Sequence, residues 1–446
     1  MAEPTTPQAM GESTPGADTS PSGSGEGDKP SLIRRLELDP RLLGMLVALA
    51  AIWIVFHILS GGTFLTPRNL WNLSVQTAVI GIMATGMVLI IVSRNIDLSV
   101  GSMLATLGMA MAILQREWIP QWLGFDHPAT WLIALAAGIA LGAAIGAFQG
   151  AIVAYVGVPA FIVTLGGLLV WRGVAWAMAS GRTIAPMDDT FQRLGGGRDG
   201  TIGGPATWII AGVTCAALIG YLISSRRRKV KYGFAARPLW ADVAIGVVGS
   251  ALVLGAAWVI NSYPLPQPLA REYAEARGID YPEGGLDIPQ GLANPVLILI
   301  VAGIVMTFMA TRTRFGRYVF AIGGNPEAAE LGGIKTRWTI VKTFMIMGIL
   351  VAIAAAVTTA RLNAATSGLG VTFELYVIAA AVIGGTSLAG GIGTIPGAML
   401  GALVAQSLQS GMVLIGLDAP LQDVVLGIVL VVAVALDSIY RRRVQR

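Results

Sequence analysis

The chain has 446 residues, of which 54% are hydrophobic and 12% charged. A soluble domain carries about 25% charge. Half that, with apolar runs of about 20 residues and a mean hydropathy of +0.71, excludes a soluble globule and points to an all-α polytopic membrane protein. The net charge of +5 comes largely from arginine clusters beside apolar runs, which marks topology rather than nucleic-acid binding.

A β-barrel is excluded too, because its strands alternate over about 10 residues and lack such runs. The single cysteine, Cys215, lies inside an apolar run, so no disulfide within the chain and no cysteine metal site can form. His57 and His127 have no acidic or cysteine cluster around them, and no metal site is expected. The 57 glycines suit closely packed spans.

Residues 1–38 are expected to be a disordered cytoplasmic tail. The first 30 are Gly, Ser, Pro, Thr and acids without an apolar core. A signal peptide would need a basic start and an apolar stretch of about 7–15 residues. Residues 39–446 then read as one transmembrane domain.

Candidate spans follow at about 42–60, 72–92, 98–115, 131–155, 159–179, 205–223, 239–261, 293–311, 338–360, 375–391, 395–414 and 421–440. The pairs 72–92/98–115 and 375–391/395–414 are so tightly spaced that either could contain broken or half-spanning helices. The expectation is therefore 10 to 12 transmembrane helices. Gly142, Gly146 and Gly150 recur every fourth residue, as do Gly393, Gly397 and Gly401, and both ladders let a helix backbone approach a neighbour. A faint internal echo links 91–104 with 382–400. Both run apolar, polar break, small residues, apolar.

Basic residues fix the expected orientation. Arg34, Arg35 and Arg41 precede the first span, and Arg226-Arg227-Arg228-Lys229 follow the sixth. Arg312, Arg314, Arg317, Lys335 and Arg337 flank a central loop, and Arg441-Arg442-Arg443 end the chain. With twelve spans all four clusters share one side, which places both termini in the cytoplasm. Residues 262–292 become an external loop or short helix pair.

The central loop, 312–337, separates two long apolar runs. Gly323-Gly324 break the chain, Asn325 is a good N-cap, and Pro326 suits the first helical position. Glu327 to Leu331 form less than two turns before Gly332-Gly333 stop them. So short a helix is not stable alone. It is either an ordinary capped loop or a docking knob for a cytoplasmic partner.

No catalytic constellation occurs, and there is no P-loop for ATP. The chain reads as a transport subunit rather than an enzyme. Arg94, Asp97, Arg172, Arg361, Glu374 and Asp423 all fall near predicted span ends or breaks. Ion-coupled carriers usually place ionisable groups mid-span, so the energy for transport is expected from outside this chain. A secondary transporter of a small polar solute is the alternative. Three stretches could line a pathway: Asn95, Asp97 and Ser99; Thr164 with Trp171 and Arg172; and Gly385 with Thr386. Indole, amide and hydroxyl groups suit a neutral polyol such as a sugar.

Four ordered stretches carry a resemblance: NIDLSVGS (95–102), VPAFIVTLGGLLVWRGVA (158–175), AIGGNPEAAELGGI (321–334) and AAAVIGGTSLAGGIGT (379–394). With them the chain resembles the membrane permease subunit of bacterial monosaccharide ABC importers, in the ribose/xylose branch and nearest the xylose permeases. The resemblance covers about 40–445. It implies the ABC importer permease fold in the bacterial inner membrane. It also implies that residues 325–334 are the coupling loop that docks on a separate ATP-binding subunit, with Asn325, Glu327, Ala328, Ala329 and Gly333 as its residues. ATP and Mg would be held by that partner, with no cofactor in this chain. A periplasmic or extracellular sugar-binding protein and a second permease copy or paralogue complete the implied assembly. Two departures stand out. Thr343 occupies the place of the motif's later isoleucine. Ser93-Arg94-Asn95 replaces the small residues that usually precede Ile96-Asp97-Leu98-Ser99.

Overall fold

The structure is a computed structural model, and it describes residues 40–125, 127–197, 199–234 and 237–444. The expected tail and Arg34 and Arg35 lie outside them. The principal helices are α1 (Pro40–Leu59), α2 (Pro67–Val92), α3 (Val100–Ile113), α4 (Thr130–Ala151), α5 (Ala160–Ala179), α6 (Gly204–Lys231), α7 (Leu239–Asn261), α8 (Gln267–Arg277), α9 (Asn294–Arg312), α10 (Arg314–Gly324), α11 (Pro326–Leu331), α12 (Thr336–Leu362), α13 (Phe373–Ile383), α14 (Ile395–Leu414) and α15 (Ala419–Val444).

Local chemistry sets many of the starts. Thr66, Thr313, Asn325 and Thr394 each accept a hydrogen bond from a first-turn amide, and proline stands at N1 or N2 of α2, α11 and α14. Each cap satisfies an amide that has no partner inside the helix.

Every predicted span is helical, and one of them, 375–391, is cut clearly short. Among the described residues nine helices are long and apolar enough to cross a bilayer, against the 10 to 12 expected. The three outside that group are α3, whose 14 α-helical residues run on into a π-helical turn at Leu114–Trp118, α13 with 11 residues, and α15, which is helical over 26 residues with Ala419–Val432 as its described apolar part. The span predicted at 375–391 stops at Ile383 because Gly385, Gly390 and Gly391 adopt φ of +86°, +86° and +75°, which no right-handed helix contains. In the other direction, α6 runs on to Lys231 through its arginines, since charged residues outside the bilayer do not interrupt a helix.

The helix ends sort onto two faces. On one, Leu42 and Met45 of α1 share a cavity with Thr311 of α9 and Ile392. Gly150 near the end of α4 lies against Val341 and Phe344 in the first half of α12. This is the basic face, because Arg312 to Arg337 belong to it. On the opposite face Asp188 N donates to Gln115 just beyond α3, Met187 N donates to Asn363 beyond α12, and Ile184 pairs with Ala365. Following the chain between these anchors, α1 leaves the basic face and α15 returns to it.

α2, α3 and the central part of α12 form the core, with Ile82, Met83, Met87, Leu89, Met103, Val351 and Ala355 wholly buried. The tightest crossing joins α4 to α12. A Cβ added at Gly142, Gly146 or Gly348 would land on backbone of the other helix. The first small-residue ladder is thus a backbone-to-backbone seam. The second closes the turn beside it, with Gly397 against Gly384 and Gly401 against Ala380.

The hairpin α6–α7 stands at the edge. Its outer face exposes Ile209, Val213, Val247 and Leu252. Its entry and exit meet, because Ile202 N donates to Leu292 O at 3.1 Å and Gly203 N to Gln290 O at 3.2 Å. The expected external loop holds one helix, α8.

Candidate translocation and docking sites

Two breaks put irregular backbone inside the bundle. Residues 93–99 enter from the basic face and 363–372 from the opposite face. They meet where Gly101 packs against the carbonyl of Gly370 and the carboxylate of Glu374. Non-helical backbone at this depth persists only where protein or a wet cavity satisfies it.

The first break is built around Asp97. Its Oδ1 accepts from the Ser99 amide at 2.9 Å and the Ser99 hydroxyl at 2.6 Å. The same hydroxyl lies 3.0 Å from Gln149 Oε1 on α4. Thr164 on α5 donates to the Ile96 carbonyl at 3.1 Å and so pins the break to the next helix. Asp97, Ser99, Gln149 and Thr164 are all buried. Gly167 lets this cluster close, since a Cβ there would sit 2.9 Å from Gln149 Nε2, 3.1 Å from Ser99 and 3.4 Å from Trp171 Nε1. Trp171 Nε1 is a buried donor without a hydrogen-bond partner. An indole N–H beside the Gln149 amide at one hydroxyl-lined spot suits a ligand rich in hydroxyl groups.

The predicted residues therefore separate. Asp97, Ser99, Thr164 and Trp171 come together. Asn95 does not join them, because its amide turns back to Ser93 at 2.9 Å. Arg172 is not at a helix end as expected. It stands in the second half of α5, and its long arm carries the charge to the Ser367 and Leu369 carbonyls at 2.7 Å each. Gly385 belongs to a separate cavity of about 420 Å³ on the basic face. Thr386 is buried beside Gly393 with its hydroxyl unpartnered. Sequence reasoning missed Gln149. The signal was present, for it is the one amide in the 131–155 run.

Asp97→Ala is expected to destabilise the chain by about 1–3 kcal/mol, because the Ser99 amide and hydroxyl lose their shared acceptor inside the bundle. Thermal unfolding in detergent checks this, and Asp97→Asn, which keeps an acceptor oxygen, should recover most of the loss.

On the basic face, Asn325 Oδ1 accepts from Ala328 N at 3.0 Å, so the expected cap is in place. Gly333 closes α11 with φ +81°. Glu327, Ala328 and Leu331 point outward, and Leu331 is 91% exposed. Ala329 differs from its neighbours. It is only 6% exposed, so it seats α11 on the bundle and is hidden from any partner.

Comparison with known proteins adds the family. The model described as branched-chain amino acid transport system / permease component matches residues 69–434. The chain belongs to this permease family. The permease is 37% identical over 406 residues to the xylose transport system permease protein of Escherichia coli K12, covering 91% of this chain and 94% of that one. A xylose permease of Haemophilus influenzae is also 37% identical, over 90% of this chain and 96% of its own. The ribose import permease protein of E. coli K12 is 31% identical, over 88% and 92%. No solved structure gave a significant match. A multi-pass transport subunit agrees with the apolar helices and the two-faced bundle.

Proposed function

We propose that this permease is the pathway subunit of an ATP-driven importer that moves a monosaccharide, xylose first among them, into the cytoplasm. The observation that carries the reading is the near full-length likeness to xylose permeases at 37% identity. The side chains of Ser99, Gln149 and Trp171 support it, since hydroxyl, amide and indole are groups that recognise a polyol. In this reading the basic face is cytoplasmic, as the positive-inside rule favours. α11 docks on a separate ATPase subunit, which holds ATP and Mg. A binding protein outside the membrane delivers the sugar, and two permease copies enclose the path. Glu327, Ala328, Leu331 and Gly333 form or shape the docking surface. Asp97, Ser99, Gln149, Thr164 and Trp171 form the sugar-facing cluster, with Arg172 beside it, while Gly385 and Thr386 belong to the separate turn on the basic face.

The ATPase supplies direction only if it binds the two permease states with different affinity. The test is reconstitution of the permease with its ATPase and binding protein in vesicles. Xylose uptake that requires ATP supports the reading. Uptake that follows a proton or sodium gradient without the ATPase refutes it. In the same vesicles Gln149→Leu and Trp171→Phe should each lower the maximal uptake rate about tenfold, equivalent to about 1.4 kcal/mol, while the complex stays assembled. Unchanged rates in both variants would remove the cluster from the path.

A further inference from the structure

We propose that Arg94 is a positioning residue that ties the break at Asp97 to the lead-in of the docking helix. This rests on the importer reading above. Arg94 follows Ser93, the C-cap of α2, with φ +64°, and its amide donates to Ile91 O at 2.9 Å. A glycine would meet that φ without strain. The arginine side chain instead crosses to α10. Nε donates to the Gly323 carbonyl at 2.7 Å and Nη2 to the Gly324 carbonyl at 2.8 Å. Both carbonyls belong to the last turn of α10, where no intrahelical donor reaches them and where a cation suits the helix dipole.

The packing around this tie is close. A Cβ on Gly323 would collide with the Val92 carbonyl. That carbonyl also accepts from Gly391 N at 2.9 Å, so the turn 384–394 joins the same junction. The chain then runs in two directions from one guanidinium. Three residues onward is Asp97, whose carboxylate holds Ser99 and through it meets Gln149. On the other side Gly324 precedes Asn325, the cap of α11. A displacement of α11 by its partner is thereby delivered to the sugar-facing break through two parallel hydrogen bonds. The planar fork of arginine can hold both carbonyls at once, whereas a lysine ammonium is a point charge on a flexible stem.

The experiment measures xylose transported per ATP hydrolysed in vesicles holding the permease, ATPase and binding protein, for the wild type, Arg94→Gly and Arg94→Lys. Arg94→Gly should insert and bind the ATPase, because glycine fits the backbone, and hydrolysis should continue. Its ratio of sugar to ATP should fall at least fivefold, with Arg94→Lys in between. A purely structural role would lower yield and both rates together and leave the ratio unchanged, which overturns the proposal. If Arg94→Gly fails to assemble, Arg94→Lys decides. A wild-type ratio there overturns the proposal, and a ratio at least twofold lower upholds it. Wild-type vesicles without ATP-dependent uptake would instead refute the importer reading, and this inference with it.

Discussion

Leu331→Asp is expected to release the ATPase from the purified complex and to cut ATP-driven xylose uptake at least a hundredfold. Leu331 ends α11 with 91% of its surface exposed, so the bundle does not use it. Burying a leucine side chain in a partner contributes about 1.5–3 kcal/mol. Replacing it with a carboxylate loses that contribution and adds the cost of burying a charge without a counter-charge. A hundredfold corresponds to about 2.7 kcal/mol, within reach of the first effect alone. Insertion and thermal stability should not change, because the altered side chain is almost wholly exposed. Ala328→Asp should act in the same direction on the same exposed face. Ala329→Asp is a control for the opposite mechanism: its position is buried, so it should unseat α11 and lower stability as well. The measurement is co-purification of the ATPase with uptake alongside. An ATPase that stays bound to the Leu331→Asp variant, with uptake within twofold of wild type, would move the docking surface elsewhere.

Gly146→Leu should be the most destructive substitution in the bundle. A side chain at Gly146 would land on the backbone of Phe344 and Met345. Backbone cannot rotate aside as a side chain can, so α4 and α12 must separate along their whole seam. Overpacking usually costs about 1–3 kcal/mol, and a contact against main chain belongs at or above the top of that range. The loss of close van der Waals contact between the helices adds to it. The readout is yield of monodisperse protein in detergent and its unfolding temperature. Gly166→Ala in α5, where nothing lies within 4 Å, should leave both unchanged. A Gly146→Leu variant as stable as wild type would show that the seam opens freely.

These two sites differ in how far the sequence disclosed them. The Gly142–Gly146–Gly150 ladder announced a close approach, yet its partner, Gly348, sits far along the chain with no periodic companion. The cap at Asn325 was legible because capping is local chemistry. Which face of α11 is free was not, because a helix of six residues has too few positions to display a period. That is why the burial of Ala329 and the exposure of Leu331 emerge only in the structure. The break at 93–99 and the short helix α13 were foreshadowed by tight spacing at 92–98 and 391–395. Their ends were set by left-handed glycines and by contacts from distant segments. Gln149 and Arg94 show the limit most clearly. Each makes its decisive contact more than 45 residues away along the chain, with Ser99 and with Gly323, and no local pattern encodes such a meeting.

The joined feet of the α6–α7 hairpin have an evolutionary consequence. Ile202 and Leu292 are already hydrogen-bonded neighbours, so excising the segment between them would leave a gap that one short turn closes. The excised piece contains two crossings, an even number, so every helix after it would keep its direction through the bilayer. A chain could therefore gain or lose this hairpin and keep α11 on the same face of the bundle. The region between 203 and 291 is where chain length should vary most freely among proteins that share this bundle.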